Sequence, residues 1–155
     1  MDITGGEFDG EERINAPRLT VWACLNDPDL LRECIPGCRS LEWISDNELS
    51  AAIKISFGPL SATFKGVITL SNVVPGRSYT LSAEGKGGLA GFAKGACDVD
   101  LVDDGDDTLL RYRARAEVGG RIAKLGMRLV DSTSTALASR FFSDLNEAIM
   151  KRVSM

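Results

Sequence analysis

Polar and apolar residues alternate with a period of two over most of the middle of the chain. Within residues 48–56, Leu49, Ala51, Ile53 and Ile55 share one face, and Glu48, Ser50, Ala52, Lys54 and Ser56 share the other. Successive side chains of a strand point to opposite faces, so this pattern predicts a strand buried on one side. The alternation resumes after Gly58-Pro59, with Leu60, Ala62, Phe64, Ile68 and Leu70 inward, and again after Pro75-Gly76, with Tyr79, Leu81 and Ala83 inward. A glycine-rich corner at 85–91 leads to a strand carrying Cys97, Val99 and Leu101. An acidic turn at 103–107 then leads to one carrying Leu110, Tyr112, Ala114, Ala116 and Val118. Five consecutive strands with one apolar face each predict an antiparallel meander. Weaker strands are expected at 7–14 and 41–44.

The period changes in two places. Ala16-Pro17-Arg18 puts a proline at a helix start, and Val21, Trp22 and Leu25 follow at helical spacing. Asn26-Asp27-Pro28 repeats the cap-then-proline signal for a second short helix, which must stop before Pro36-Gly37. After Gly119-Gly120, the residues Ile122, Leu125, Leu129, Thr133, Leu137, Phe141, Leu145 and Ile149 form one stripe, predicting an amphipathic helix to the chain end. Gly126 falls inside that span at a cost of about 1 kcal/mol relative to alanine. Either a close approach of the sheet backbone or room left for a ligand is expected to offset it, close packing being the favoured reason.

A helix with a single apolar stripe cannot bury itself, and neither can a sheet with one apolar face; each needs the other. The expected fold is therefore α+β: a seven-stranded antiparallel sheet wrapped around a long C-terminal helix, with two short helices between strands 1 and 2. Residues 1–155 are read as a single domain, without linker or internal repeat. Gly66 and Gly95, inside strands, are expected to let the sheet bend.

Composition removes several function classes. The chain has no histidine, the usual general base near neutral pH and a common metal ligand. Its net charge of −4 offers no basic surface for phosphates, so a nucleic-acid partner is not expected. The start MDITGGEF does not read as a signal peptide, and no run approaches the ~18 apolar residues of a spanning helix. A cytoplasmic location is expected, with any membrane contact peripheral. Cys24, Cys34, Cys38 and Cys97 read as free thiols rather than disulfides or zinc ligands, because no histidine or second cysteine pair of usual spacing is present. No metal or cofactor is expected. Asp103, Asp104, Asp106 and Asp107 read as a solvated turn rather than a calcium loop. Arg111, Arg113 and Arg115 form an outward row, by default solvated and otherwise available to a partner.

Several segments together carry a resemblance. They are Val21-Trp22-Ala23-Cys24-Leu25-Asn26-Asp27-Pro28, Cys34-Ile35-Pro36-Gly37-Cys38, Gly58-Pro59 with Phe64-Lys65-Gly66, the run from Gly85 to Gly95, and the run from Val118 to Gly126. Over nearly its whole length the chain resembles the CoxG-like family, named for the CoxG component of carbon monoxide dehydrogenase. The resemblance implies a helix-grip (START-like) fold with a hydrophobic cavity between sheet and helix. It also implies a non-catalytic accessory role beside a molybdenum CO dehydrogenase or related hydroxylase, coupling that enzyme to the membrane. Many members of that family continue into a C-terminal tail with a hydrophobic anchor; this chain stops at Met155, so anchoring by that route is not expected.

The expected ligand is a hydrophobic small molecule, a quinone or lipid. The candidate cavity residues are Pro36, Phe57, Phe64, Tyr79, Leu89, Phe92, Tyr112, Leu125, Leu129 and Phe141. Their warrant is collective: aromatics mix with Ala62, Gly66, Ala83, Gly95, Ala114 and Ala116 on the inward faces, and small residues leave volume that one helix does not fill. Pro36 reads either as a helix stop or as cavity rim, and Cys38 as core filler or, less favoured, a cavity wall. The corner at 85–91 reads as a plain turn or as a lid with Leu89 and Phe92 as its apolar contacts. Buried Tyr79 and Tyr112 hydroxyls need partners, a ligand carbonyl among the candidates. Two other classes stay open. A cyclase or hydratase needs an acid–base group in the cavity, where parity leaves only tyrosines and Glu33; a pure interaction or assembly factor needs a solid core.

Overall fold

A computed structural model describes residues 3–153. The elements run β1 (Ile3–Ile14), α1 (Arg18–Leu25), α2 (Pro28–Cys34), β2 (Cys38–Trp43), β3 (Glu48–Phe57), β4 (Leu60–Val74), β5 (Ser78–Lys86), β6 (Phe92–Asp104), β7 (Asp107–Gly119) and α3 (Met127–Val153). The strands form one seven-stranded antiparallel sheet in the order β1-β7-β6-β5-β4-β3-β2. From β2 to β7 each strand pairs with its sequence neighbour, as alternating hairpins must. The exception is β1, which pairs along its whole length with β7, from Ile3↔Gly119 to Ile14↔Thr108. The two edges of the sheet are therefore β1 and β2, and α1 and α2 bridge between them.

The local signals explain the helices. Asp27 accepts hydrogen bonds from the Asp29 and Leu30 backbone N–H groups at 3.1 and 3.4 Å, capping α2, while Pro28 occupies a position whose N–H needs no partner. The last helix departs from expectation at its start. Residues Gly120–Leu125 form a 3₁₀ turn, and α3 begins only at Met127. Gly126 sits at the joint with φ +92°, and a Cβ there would meet nothing within 4 Å. Neither close packing nor ligand space accounts for this glycine. A left-handed backbone at the junction does.

α3 is held at both ends and bridges what lies between. Near its start, Val130 packs with Phe57, Phe64, Val118 and Ile122. Toward its end, Leu145 and Ile149 are fully buried among Val21, Cys24, Leu30, Leu101 and Leu110, each side chain contributing about 1.5–3 kcal/mol by burial. Asn146 and Asn15 exchange two hydrogen bonds at 2.9 and 3.0 Å, and Arg152 donates to Asp27 at 2.8 Å. Among the described residues, cross-strand neighbours separate two of the three apolar clusters, the one around Leu145 and the one around Phe57. Gly6, Ala116, Gly95 and Ala83 stand side by side in register, and this row of minimal side chains separates the larger residues on either side.

The ion pairs are peripheral. The acidic turn is partly neutralised by two neighbouring arginines: Arg13 reaches Asp104 and Asp107, and Arg18 reaches Asp103 at 3.0 Å. Arg111 pairs with Glu11 at 2.9 Å and Arg115 with Asp98 at 3.6 Å. The Arg152–Asp27 pair has a pH signature. The guanidinium, above all through its hydrogen bond, holds the Asp27 carboxyl below its ordinary value of 3.8. A lowered folded-state value stabilises the fold above the unfolded value and ceases to do so as pH falls through the folded one. The side chains are 50% and 29% exposed, which limits the contribution to no more than about 1 kcal/mol. Arg152→Ala is expected to lower the urea midpoint at pH 7, with the gap from wild type closing as pH drops below 3.8. A gap that persists in acid would assign the effect to packing of the arginine stem instead.

Candidate functional site

Between the middle of α3 and the sheet lies a hollow of about 420 Å³, within the ~300–1,000 Å³ typical of small-molecule sites. Its floor is the inward face of the strands, including Ile53, Ile55, Ile68, Leu81, Val99 and Ala114; its roof is Leu137, Ala138, Phe141 and Phe142 of α3. Many of these apolar walls are partly accessible rather than sealed, as a hollow open to solvent requires. Phe8 on β1 and Trp43 on β2 also line it, although they are 36% and 39% exposed. Those are the two edge strands, so the lining of the hollow runs across the width of the sheet. α2 packs against both β2 and α3 beside it. Of the small inward residues expected to leave the space, Ala114 lines it, whereas Ala62, Gly66, Ala83, Gly95 and Ala116 are not among its wall residues; large side chains make up most of the lining.

The ten candidate residues separate into groups. Pro36, Tyr79, Tyr112 and Phe141 line the hollow. Phe57, Phe64 and Leu125 belong to the second cluster, beyond the row of small residues. Leu129 lies over the β3–β4 turn, where a Cβ on Gly58 would meet it at 3.2 Å. Phe92 covers Gly119, whose absent side chain makes room for its ring. Leu89 is 85% exposed, and the 85–91 corner is a 3₁₀ turn docked on Gly119 and Gly120 through Gly91, away from the hollow. Alternation puts Phe64 and Tyr79 on the same sheet face correctly, but it carries no information on how far along that face each one falls.

Among the described residues no charged side chain lines the hollow, and its polar side chains are Asn26, Tyr79, Cys97 and Tyr112, with the Trp43 indole. Asn26 is spent on the Trp22 carbonyl at 2.9 Å. Burial pushes the Cys97 thiol up to about 11, which keeps it protonated and unreactive. Burial likewise raises the Tyr79 phenol. Tyr112 stacks on Phe142 at 5.0 Å and lies over Gly10, where any Cβ would strike its hydroxyl. Glu33 is exposed on α2, outside the hollow.

The family model for CoxG, a component of carbon monoxide dehydrogenase, matches residues 10–150. The chain belongs to the CoxG family. This CoxG-family chain is similar to a conserved protein from Geobacillus kaustophilus, with 31% identity over 94% of this chain and 96% of that one and a TM-score of 0.88. Its fold is also similar to Ara h 8.0201 (13% identity, 96% and 99% covered, TM-score 0.69) and to the Zhui aromatase/cyclase of Streptomyces sp. R1128 (9% identity, 97% and 96% covered, TM-score 0.69). At those identities the likeness is one of fold, the START/Bet v 1-like helix grip. No curated protein matches the sequence.

In this CoxG-family chain the Ile35-Pro36-Gly37-Cys38 turn is part of the site. Gly37 has φ +76°, and its carbonyl accepts from the Lys54 N–H at 2.8 Å, pinning the turn to β3. Ile35 and Pro36 thereby face the hollow, whereas Cys38 packs with Leu41 and Leu49. The wall residues not singled out from the sequence, Leu31, Trp43, Leu137 and Phe142 among them, come from elements whose relative placement the hydrophobic pattern does not encode. Phe142 had one available signal, its position next to Phe141 on the helix. A larger concavity of about 1160 Å³ crosses the opposite sheet face, but it is lined by Lys65, Glu84, Lys86, Lys94 and Glu117 and suits no apolar molecule. Among the described residues, no helix is long and apolar enough to cross a membrane.

Proposed function

We propose that this protein holds a neutral, hydrophobic small molecule, a quinone or another lipid, in the hollow beneath α3. In this reading it serves as a non-catalytic accessory to a molybdenum CO dehydrogenase or related hydroxylase, at the inner face of the membrane. The observation that carries the proposal is an apolar hollow of ligand size, lined by no charged side chain among the described residues and walled in part by exposed residues of both edge strands. Membership of the CoxG family supports the accessory role. Acid–base catalysis needs a titratable group poised near the working pH at the reacting atom. Here the hollow offers a thiol at about 11 and two phenols, all raised by burial. That favours carriage over the cyclase chemistry named for one fold neighbour.

The test is direct. Purified protein, denatured and extracted with organic solvent, is expected to release a neutral lipid in near-stoichiometric amount. The delipidated protein should take up diphenylhexatriene with a rise in fluorescence, reversed by adding the extract. Protein that yields no lipid and leaves the dye dark would remove the carrier function and leave a docking role, which a pull-down of the hydroxylase by delipidated protein would then measure.

A further inference from the structure

Of the polar side chains around the hollow, Tyr79 alone is both deeply buried and without a hydrogen bond to any described residue. It is 7% exposed, on the central strand β5, with the Trp22 ring edge-on at 5.4 Å. Among the described residues no fully enclosed side-chain oxygen or nitrogen lacks a partner. The Tyr79 hydroxyl is therefore not fully enclosed, and Tyr79 is a wall residue of the hollow. Tyr112 differs, being only half-buried and lying over edge strand β1.

We propose that Tyr79 sets the ligand specificity of the hollow: its hydroxyl donates a hydrogen bond to an oxygen acceptor, such as a ketone, quinone or ester carbonyl, on a neutral and otherwise apolar molecule. This rests on the reading of the hollow as a ligand site. A buried hydroxyl that finds no acceptor forfeits its bond to water, so a ligand without a polar atom binds at a disadvantage. At neutral pH the phenol is protonated, so its O–H is available to donate. A carboxylate would meet no cation anywhere on the walls, and an unpaired charge is disfavoured in such surroundings. The hollow thus selects against fatty acids and for neutral carbonyl lipids.

The test displaces bound diphenylhexatriene with the methyl ketone, the alkane and the carboxylate of one eleven-carbon chain. On the wild-type protein at neutral pH the ketone is expected to outcompete the alkane roughly five- to tenfold, the worth of one hydrogen bond, with the carboxylate weakest. In Tyr79→Phe the ketone's advantage should vanish while the alkane binds at least as tightly as it does to wild type, relieved of the unsatisfied hydroxyl, which also shows that the variant is folded. Equal binding of ketone and alkane by wild type, or a preference surviving in Tyr79→Phe, overturns the role of Tyr79 but leaves the hollow as a binding site; a dye that never binds overturns both. Should Tyr79→Phe fail to fold, the infrared carbonyl stretch of the wild-type-bound ketone decides. A shift below its value in hexane is expected, and an unshifted band overturns the inference.

Discussion

Gly66→Ala is expected to destabilise the fold by more than about 4 kcal/mol, or to prevent folding outright, the range reached by only the most disruptive substitutions. Gly66 lies within β4 opposite Gly85 of β5. A Cβ built there would sit 1.8 Å from the Glu84 carbonyl oxygen and 2.8 Å from Gly85 Cα. Both are backbone atoms of a paired strand, so no side-chain rotation relieves the clash. β4 and β5 would have to separate, which breaks ladder hydrogen bonds in the interior of the sheet. Two other glycines calibrate the claim. At Gly95 the new atom would approach one carbonyl, that of Arg115, at 2.6 Å, and an intermediate loss is expected. At Gly105 it would meet nothing within 4 Å, so the cost is the positive φ of +63° alone, about 1–2 kcal/mol. Urea unfolding of the three alanine variants should rank them Gly66, Gly95, Gly105 from most to least damaging. A Gly66 variant as stable as the Gly105 one would show that the bend in the sheet does not depend on close backbone contact.

Ala138→Trp is expected to weaken diphenylhexatriene binding more than tenfold while leaving the unfolding free energy within about 1 kcal/mol of wild type. Ala138 projects from the middle of α3 into the roof of the hollow, beside Leu137 and Phe141. An indole there occupies much of the 420 Å³ and buries its own apolar surface. A solid interior would respond in the opposite way, because overpacking typically costs about 1–3 kcal/mol and strains the helix. Comparing dye affinity with the urea midpoint in the same variant separates the two. Loss of stability without a change in binding would mean that the dye, and any natural ligand, sits elsewhere.

The strands and short helices follow from information carried locally. Alternation in 48–56 marks β3, Asp27-Pro28 caps α2, and the Pro75-Gly76 and Asp103–Asp107 turns end strands where expected. The stripe through Leu137, Phe141, Leu145 and Ile149 marks α3 and demands the sheet as its partner. Gly126 marks the limit of such reasoning. A glycine inside a periodic stripe reads as a defect in a helix, whereas it serves here as the left-handed joint between a 3₁₀ turn and α3.

Which inward residues share a space is a different kind of fact. Phe64 and Tyr79 obey the same alternation, yet the register of the strands sets them on opposite sides of the row Gly6-Ala116-Gly95-Ala83. Trp43 and Phe8 become wall residues because their strands fall at the two edges of the sheet. The hollow lies where α2 packs on both β2 and α3 and where the middle of α3 meets the sheet through Phe141 and Phe142. Side-chain periodicity reports the direction in which a residue points. Distance between elements is a sum over many contacts far apart in the chain, and no single segment contains it.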